Sequence, residues 1–296
     1  MKAGIIINPI AGSVYRRHTD ARVALAHDVL RRCGIEGDVF VTTRPGHARE
    51  LSRSCVNRAV DTVVAWGGDG TVNEVASEVA FHSSALGVVP GGSGNGLARE
   101  LGLPQRDPAR SLMTALQGEP RVIDAGELGG RLFFNVAGVG LDAHLAAVFN
   151  SRTTRGLCGY LVSTVRETLA YESSYYILRA SDVAVSQKAL IVALANTRQY
   201  GANVQIAPLA RPDDGLLELV VLPAVSPLVA LWHGRRLVTG TVHEVSGVTM
   251  QSVRAVDITS DSIPNFHVDG EVFQGRETLS AKVHPGALRV RCSTAS

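Results

Sequence analysis

One segment decides the fold of the first part of the chain: Val63-Val64-Ala65-Trp66-Gly67-Gly68-Asp69-Gly70-Thr71-Val72-Asn73-Glu74. An apolar run, a glycine-rich turn and a helical pattern follow one another, which predicts a buried strand, a tight turn and a helix. Glycines let a backbone approach an anion closely, and a helix start offers N–H groups to a phosphate. Asp69 could hold a magnesium ion there. Thr71 and Glu74 predict a capping box, which an ordinary strand–turn–helix without a ligand would also have. The Gly-Gly-Asp-Gly run, in contrast, favours a phosphate loop.

Two further loops support this interpretation. Asn8–Ser13 follows the first apolar run, and Gly91–Gly96 follows the fourth. Strands alternating with helices predict a parallel sheet with helices on both faces, which binds ligands at the carboxyl ends of its strands. The three loops would then form a cradle of backbone amides, although none ends in the Gly-Lys-Ser/Thr of a Walker A loop. Strands are expected at Ala3–Ile7, Asp38–Thr42, Thr62–Trp66 and Leu86–Val89, and helices at His18–Cys33, Ala48–Val56 and Val72–Phe81.

The pattern changes after Pro120, where short strand candidates dominate and predict a mostly antiparallel sandwich or barrel. We therefore expect a nucleotide-binding α/β domain over residues 1–120 and a β-sandwich domain over residues 121–296. The strands are expected at Leu132–Val136, Tyr175–Arg179, Ala189–Leu194, Leu217–Leu222, Arg254–Thr259, Phe266–Val268, Leu279–Val283 and Leu288–Arg291, with helices at Tyr160–Leu169 and Pro227–Val238.

The composition restricts the class of protein. The 296 residues are 45% hydrophobic, and the formal net charge is +2, which gives no argument for nucleic-acid binding. The four cysteines are far apart and form no Cys-x-x-Cys pair, so a reducing cytoplasm is expected. The N-terminus does not have the pattern of a signal peptide, and no apolar run is long enough to cross a bilayer.

Several motifs together resemble the diacylglycerol kinase catalytic-domain family, which includes bacterial lipid kinases, sphingosine kinases and ceramide kinases. The resemblance covers nearly the whole chain. It implies a nucleotide domain related to those of NAD kinases and phosphofructokinases, a β-sandwich lipid domain, and ATP with Mg²⁺ as cofactors. The motifs are Asn8-Pro9-Ile10-Ala11-Gly12-Ser13, Gly67 to Val75, Pro90 to Asn95, Ile123 to Gly126, Phe134 to Gly140, Asp213 to Leu217 and Val268-Asp269-Gly270-Glu271.

The resemblance also implies roles for individual residues. Asp269 matches the general base, with Glu271 beside it, and a carboxylate there could take the proton of the acceptor hydroxyl. From the residues alone, Asp-Gly between two strands predicts a hairpin turn, and a tight turn can also hold a catalyst. Asp124 is either an active-site residue or part of an ordinary turn. Nucleotide contacts are implied at Asn8, Thr42, Gly67, Gly68, Asp69, Gly70, Thr71 and Ser93.

A structural metal site is implied at Asp214, together with the backbone carbonyls of Arg211 and Leu216. Oxygen ligands of this kind suit Mg²⁺, whereas the residues alone are also compatible with a plain turn. Gly96 departs from the family pattern, because an aspartate often stands there in bacterial diacylglycerol kinases. The Gly-Ser-Gly-Asn form is closer to the sphingoid and ceramide branch.

These observations predict an ATP-dependent kinase that phosphorylates a lipid hydroxyl, first of all that of diacylglycerol. A sphingoid-base or ceramide kinase, an NAD kinase and a non-catalytic binding module are the alternatives. The partner would be a lipid at the membrane surface, which the enzyme visits transiently from the cytoplasm. The sequence is also compatible with a homodimer. Helix Leu228–Val238, with Arg235 and Arg236, either faces the membrane or packs on the sandwich. His267 is expected to be structural, and Arg99 and Arg152 either contact a phosphate or are solvated.

Overall fold

The computed structural model describes residues 1–12, 18–151, 165–181 and 184–293. It separates into two compact units, Met1–Ala125 with Gly286–Ser296, and Gly126–Pro285. The units differ from the predicted domains at the end of the chain, where residues 286–296 belong to the first unit. Ser13, Arg152, Cys158 and the first part of the predicted helix Tyr160–Leu169 lie outside the described residues.

The first unit is built on a parallel sheet, as predicted. Its strand order is β2, β1, β3, β4, and the last part of β15 runs parallel to β4 with Val290 opposite Leu86. The strands are β1 (Lys2–Ile7), β2 (Glu36–Val41), β3 (Thr62–Gly67), β4 (Ala85–Pro90) and β15 (Thr278–Cys292). The helices are α1 (Thr19–Cys33), α2 (His47–Asn57), α3 (Asp69–Val79), α4 (Gly96–Glu100) and α5 (Pro108–Gln117).

Both faces of this sheet are covered by helices. Because successive residues of a strand point to opposite faces, Ile5 and Ile7 pack with α1 and α5 while Gly4 faces α2. A Cβ atom at Gly4 would lie 2.5 Å from the Sγ atom of Cys55, so glycine lets α2 approach the strand. Burial raises the pKa of the Cys55 thiol, which therefore packs as a neutral group. The α/β architecture predicted for this part of the chain is confirmed.

The second unit is a mostly antiparallel sheet structure. Its order is β14, β13, β7, β9, β8, β12 and the first part of β15; β10 pairs with β9 and β11, and β6 pairs with β5. The strands are β5 (Glu119–Leu128), β6 (Arg131–Phe133), β7 (Val136–Gly140), β8 (Ser174–Arg179), β9 (Ala184–Ala195), β10 (Leu217–Pro223), β11 (Thr249–Val253), β12 (Ala255–Ser260), β13 (Asn265–Val268) and β14 (Glu271–Gln274). Helices are α6 (Leu141–Ser151), α7 (165–170), α8 (Pro227–Thr239) and a short 3₁₀ helix at Val242–Glu244.

The central strand β9 is buried on both faces. Val192 and Leu194 belong to one core cluster, whereas Ile191 and Ala193 belong to a second. The continuous apolar run at the end of this strand is therefore needed for two layers at once, which agrees with the predicted sandwich. Among the described residues, no helix is both long and apolar enough to cross a membrane.

Two strand predictions were wrong in their boundaries. The expected strand Leu132–Val136 is interrupted, because β6 ends at Phe133 and β7 begins at Val136, and the N–H groups between them bind a side chain instead of a strand. The two strands expected at the end of the chain are one continuous strand, β15. It passes through Gly286, whose positive φ of 63° is a backbone conformation that glycine adopts readily.

Candidate active site

Helix α3, which follows the glycine turn after β3, begins earlier than the predicted start at Val72. Helix α3 starts at Asp69 after Gly68, and no side chain caps it. The predicted capping box is wrong, because Thr71 already lies inside the helix and its Oγ1 accepts a hydrogen bond from Asn8 Nδ2 at 2.8 Å. Glu74 instead accepts the N–H groups of Gly46 and Arg49, at 3.1 and 3.2 Å, and so caps α2. The first N–H groups of α3 therefore have no side-chain cap.

Asp69 connects the second glycine loop to the third. Its carboxylate accepts the backbone N–H groups of Asn95 at 2.9 Å and Gly96 at 2.7 Å. Asn95 has a positive φ of 51°, and its side chain closes the loop by exchanging hydrogen bonds of 2.9 and 3.0 Å with the backbone of Gly92. Asp69 thus orders the loop pair, which is a role additional to the predicted contact with a nucleotide or its metal.

Three glycines of these two loops, Gly67, Gly92 and Gly94, leave no room for a side chain. A Cβ atom would lie 2.6 Å from the Thr71 side chain if placed at Gly67, and 2.7 Å from the Cα of Gly68 if placed at Gly92. Gly70 is different. It is exposed, it has no positive φ, and a Cβ there would meet no atom within 4 Å. Loop packing does not explain a glycine at this position, whereas the close approach of an anion to the helix start would.

The first loop lies beside the second. Asn8 accepts the N–H of Ile10 at 3.1 Å through Oδ1, while its Nδ2 binds Thr71. The buried guanidinium of Arg22 donates to the carbonyl oxygens of Asn8 at 3.0 Å and Ala11 at 3.1 Å. Sequence reasoning missed Arg22, since a single arginine in a helical pattern carries no signal of its own.

The remaining predicted nucleotide contacts fall at the same sheet edge. Thr42 is buried directly after β2, and its N–H donates to Ile7 O at 2.9 Å. Ser93 is exposed in the third loop. Arg99 Nε donates to the carbonyl of Gly94 at 2.8 Å, so this arginine holds the third loop. Whether these residues touch a nucleotide stays a prediction.

Asp269 occupies the two-residue turn of the β13–β14 hairpin. Its φ is 48° and that of Gly270 is 86°, as a tight hairpin turn requires, so the turn predicted here is confirmed. The carboxylate accepts three backbone N–H groups, from Phe134 at 2.9 Å, Asn135 at 2.9 Å and Val136 at 3.2 Å. These donors fix the position of the carboxylate at the turn. Glu271 is exposed at the start of β14.

A buried polar network supports this hairpin. His267 Nε2 lies 3.1 Å from Asp142 Oδ2, to which Tyr200 also donates its hydroxyl at 2.9 Å. Nδ1 of His267 accepts the N–H of Gly270 at 3.4 Å, which places the ring proton on Nε2. The space for Asp142 comes from Gly138, where a Cβ atom would lie 2.5 Å from Oδ2.

This network was missing from the predictions except for His267, which we expected to be structural. The available signal was the glycine-rich motif Phe134 to Gly140. Its first residues supply the amides that hold Asp269, and its middle glycine makes room for Asp142. The motif is therefore explained by support of the Asp269 turn.

The family of the chain follows from two matches. Residues 2–128 match the diacylglycerol kinase catalytic domain, and residues 135–292 match the YegS C-terminal NAD kinase beta sandwich-like domain. The chain belongs to the YegS-like lipid kinases. A protein named "Probable lipid kinase YegS-like" from Pseudomonas syringae pv. syringae is 32% identical over 280 residues, covering 92% of this chain and 88% of that protein. A protein of the same name from Pseudomonas aeruginosa is 32% identical over 285 residues, covering 94% and 91%.

Solved structures agree with this family in fold. The crystal structure of a diacylglycerol kinase from Bacillus anthracis str. Sterne matches with a TM-score of 0.77 at 18% identity, and the match covers 99% of this chain and 97% of that one. An NAD kinase from Archaeoglobus fulgidus in complex with ATP has a TM-score of 0.57 at 14% identity, covering 98% and 93%. A kinase of the YegS-like family transfers a phosphoryl group from ATP to an alcohol group. The family membership therefore favours a lipid kinase over the NAD kinase and the non-catalytic module.

Two further aspartates of this lipid kinase have local structural partners. Asp124 is buried in β5 and accepts the N–H of Gly286 at 2.7 Å, where β15 enters the first unit, so it lies in a strand and not in a turn. Asp214 is exposed and accepts the N–H of Leu216 at 3.0 Å, which is an Asx turn. Over the described ranges, no three His, Cys, Asp or Glu side chains gather as a metal cluster. The site implied at Asp214 with the carbonyls of Arg211 and Leu216 stays a prediction.

Proposed function

We propose that this protein transfers the γ-phosphoryl group of MgATP to the free hydroxyl of diacylglycerol, which gives phosphatidic acid. The observation that carries the proposal is the carboxylate of Asp269, fixed in position by three backbone amides at a hairpin turn. A carboxylate held in one position can be aligned with the acceptor hydroxyl as its proton acceptor.

On the nucleotide side, the proposal rests on the loops around α3. The uncapped helix start offers N–H groups and a positive dipole end, and the open position at Gly70 leaves room for a phosphate. Magnesium would arrive with ATP as part of the substrate. Asp69 lies at the first residue of α3 and is the oxygen donor of these loops that we assign to the metal–phosphate group.

The transfer forms one phosphorus–oxygen bond, breaks another and moves one proton. As the hydroxyl oxygen of the lipid attacks the γ-phosphorus, its proton passes to the Asp269 carboxylate. The bond between the γ-phosphorus and the bridging oxygen breaks, and ADP leaves with the negative charge. Little covalent chemistry is asked of the protein, so positioning of the two substrates and neutralisation of charge supply the rate.

The acceptor is tested by a phosphorylation assay with radiolabelled ATP. Diacylglycerol, ceramide, sphingosine and NAD are offered separately to the purified protein with Mg²⁺. We expect labelled phosphatidic acid as the main product. Label on ceramide or sphingosine, with none on diacylglycerol, would replace the proposed substrate and agree with the departure at Gly96. Label on NAD alone would contradict the lipid assignment altogether.

The role of Asp269 is tested by Asp269→Asn. We expect turnover to fall by about 10²- to 10⁴-fold, the usual contribution of a general base. The same change replaces one of the two oxygens that accept the three amides by an N–H₂ group and should lower the free energy of unfolding by about 1–3 kcal/mol. Activity is therefore measured well below the unfolding temperature. Asp257→Asn is the matched control, an exposed aspartate of β12 that binds Ser280. Full turnover in Asp269→Asn would refute its role as base.

A further inference from the structure

Helix α8 has two faces of different kinds. Ala230 and Leu237 are partly buried and pack against the core cluster that contains Ile191 and Val220. No residue of the helix is fully buried, so α8 lies on the surface of the second unit with only one side attached. One side of α8 therefore packs on the sandwich, and its other side does not.

The outer face of α8 is apolar. Leu228 and Trp232 are 73% and 61% exposed, and Val229 and Val238 are 41% and 55% exposed. Leu228 and Trp232 are four residues apart, so they form one stripe on the side opposite Ala230 and Leu237. A helix face exposed to water usually carries polar side chains, and a cluster of large apolar ones marks an interaction surface.

The charge of this face is positive. Residues 227–239 contain Arg235 and Arg236 and no acidic residue. Arg236 is paired with Glu244 at 2.7 Å, whereas the guanidinium of Arg235 lies over the ring of Trp232, 3.8 Å from its centroid. Arg235 thus belongs to the same stripe as Leu228 and Trp232. Tryptophan beside arginine on an apolar stripe suits the boundary between water and a bilayer.

We infer that the outer face of α8, formed by Leu228, Val229, Trp232, Arg235 and Val238, docks on an anionic lipid bilayer. The inference rests on the proposed function in one respect, since a lipid acceptor is presented by a membrane. Charge favours a bilayer over a second copy of the chain, because α8 has no acidic residue, so pairing this face with itself would offer Arg235 no acidic partner from the helix. The bilayer instead offers anionic headgroups to Arg235 and an acyl boundary to the apolar side chains.

The fluorescence of Trp232 tests the docking directly. The chain has only two tryptophans, and Trp66 is buried in the first unit at 3% exposure. Vesicles of phosphatidylcholine with phosphatidylglycerol should shift the emission to shorter wavelength and protect it from acrylamide. Pure phosphatidylcholine should do so much less. Trp232→Phe should abolish the shift and keep most of the binding.

Sedimentation with the same vesicles measures the affinity. Leu228→Gln with Val229→Gln should weaken binding by about tenfold or more, since both changes remove apolar side chains from the contact with the acyl boundary. Arg235→Glu should weaken binding to the anionic vesicles specifically. Ile263→Gln is the control, at a residue of the same unit that is 59% exposed outside α8. The inference would be overturned if these variants bound the vesicles as tightly as the parent protein and showed the same vesicle-induced shift in emission. It would also be overturned if light scattering showed a dimer of the parent protein that the same variants dissociate.

A second assay separates this inference from the proposed function. On dispersed short-chain diacylglycerol the α8 variants should keep the turnover of the parent protein, while their turnover on long-chain diacylglycerol in vesicles should fall with their binding. An inactive parent protein that still binds vesicles through α8 would refute the substrate and leave the docking surface standing. Equal loss on both forms of the lipid would show that α8 acts otherwise than by docking.

Discussion

At the residue scale, two glycines of one loop have different reasons for being glycine. Gly67 cannot carry a side chain because Thr71 fills the space, whereas Gly70 faces open space. Sequence reasoning treats both as parts of one phosphate loop. Only the positions of neighbouring atoms separate the glycine needed for packing from the glycine left for a ligand.

Gly70→Ala should therefore weaken the binding of ATP without destabilising the fold. Alanine is the better helix former, so the free energy of unfolding should stay equal or rise by up to about 1 kcal/mol. The KM for ATP should rise by about tenfold or more, because the lost approach of a phosphate to the backbone removes a charged hydrogen bond. Gly67→Ala is the contrasting variant and should lose about 1–3 kcal/mol of stability. Thermal unfolding and ATP titration measure both; an unchanged KM in Gly70→Ala would argue against a phosphate there.

Asp142 is a buried acceptor between two donors, His267 and Tyr200. Asp142→Asn should lower stability by about 1–3 kcal/mol. The amide has one acceptor oxygen, whereas the carboxylate serves Ala143 N–H at Oδ1 as well as the two donors at Oδ2, so at least one hydrogen bond is left unmade. We expect kcat to fall while the KM for ATP is kept, since the network supports the Asp269 turn and not the nucleotide loops. Adding Tyr200→Phe should recover part of the loss by removing one donor. Losses that simply add in the double variant would contradict a shared network.

At the element scale, helix ends are completed by side chains from other elements. Glu74 of α3 caps α2 through the N–H groups of Gly46 and Arg49. The N-terminal end of α3 has no side-chain cap, and Asp69 in its first turn binds the N–H groups of Asn95 and Gly96 instead. One carboxylate thus stabilises a neighbouring helix, while the helix start that faces the glycine loops is left for an anion.

Glu74→Ala should consequently destabilise α2 and leave α3 formed. The loss of a helix cap costs about 0.5–2 kcal/mol, and hydrogen exchange should become faster in the first turn of α2. Glu50→Ala changes the same charge at an exposed pair with Arg44 and should cost only about 0–1 kcal/mol. If both variants lose the same stability, Glu74 is not acting as the cap.

At the scale of the whole molecule, the last strand completes the first unit. Leu288 and Val290 are buried beside β4, and the carbonyl of Ala287 accepts the N–H of Phe81 at 2.7 Å. Asp124 holds the entry of this segment through Gly286. The segment that begins at Gly286 therefore packs with the first unit, and it adds contacts between residues that are far apart in the sequence.

A chain ended at Pro285 should lose several kcal/mol of stability, a large part of the 5–15 kcal/mol typical of a folded domain. Leu288→Ala should cost about 2–5 kcal/mol, whereas Arg289→Ala, at the exposed residue beside it, should cost little. Thermal unfolding followed by circular dichroism measures all three. An unfolding temperature unchanged by the truncation would show that the first unit does not depend on this strand.

The alternation of strands and helices in the first unit was predictable because each signal is local. Apolar runs such as Ile5–Ile7 and the glycine turns act over a few residues and need no knowledge of distant partners. The same holds for the hairpin at Asp269, since Asp-Gly adopts the required positive φ angles by itself. The capping box failed because Glu74 has two possible uses, and a partner 28 positions away in the sequence took it.

By itself, the sequence determined the order of elements from β1 to β4, the loops suited to phosphate and the family of the chain, since these depend on short motifs and hydrophobic periodicity. Only the tertiary structure decided that Gly70 is open while Gly67 is filled, and that Asp142 pairs with His267 across 125 positions of the chain. It also decided that one side of α8 stays apolar and exposed. The reason is physical: burial and the pairing of polar groups depend on which distant atoms fill the surrounding space, and no local pattern records that.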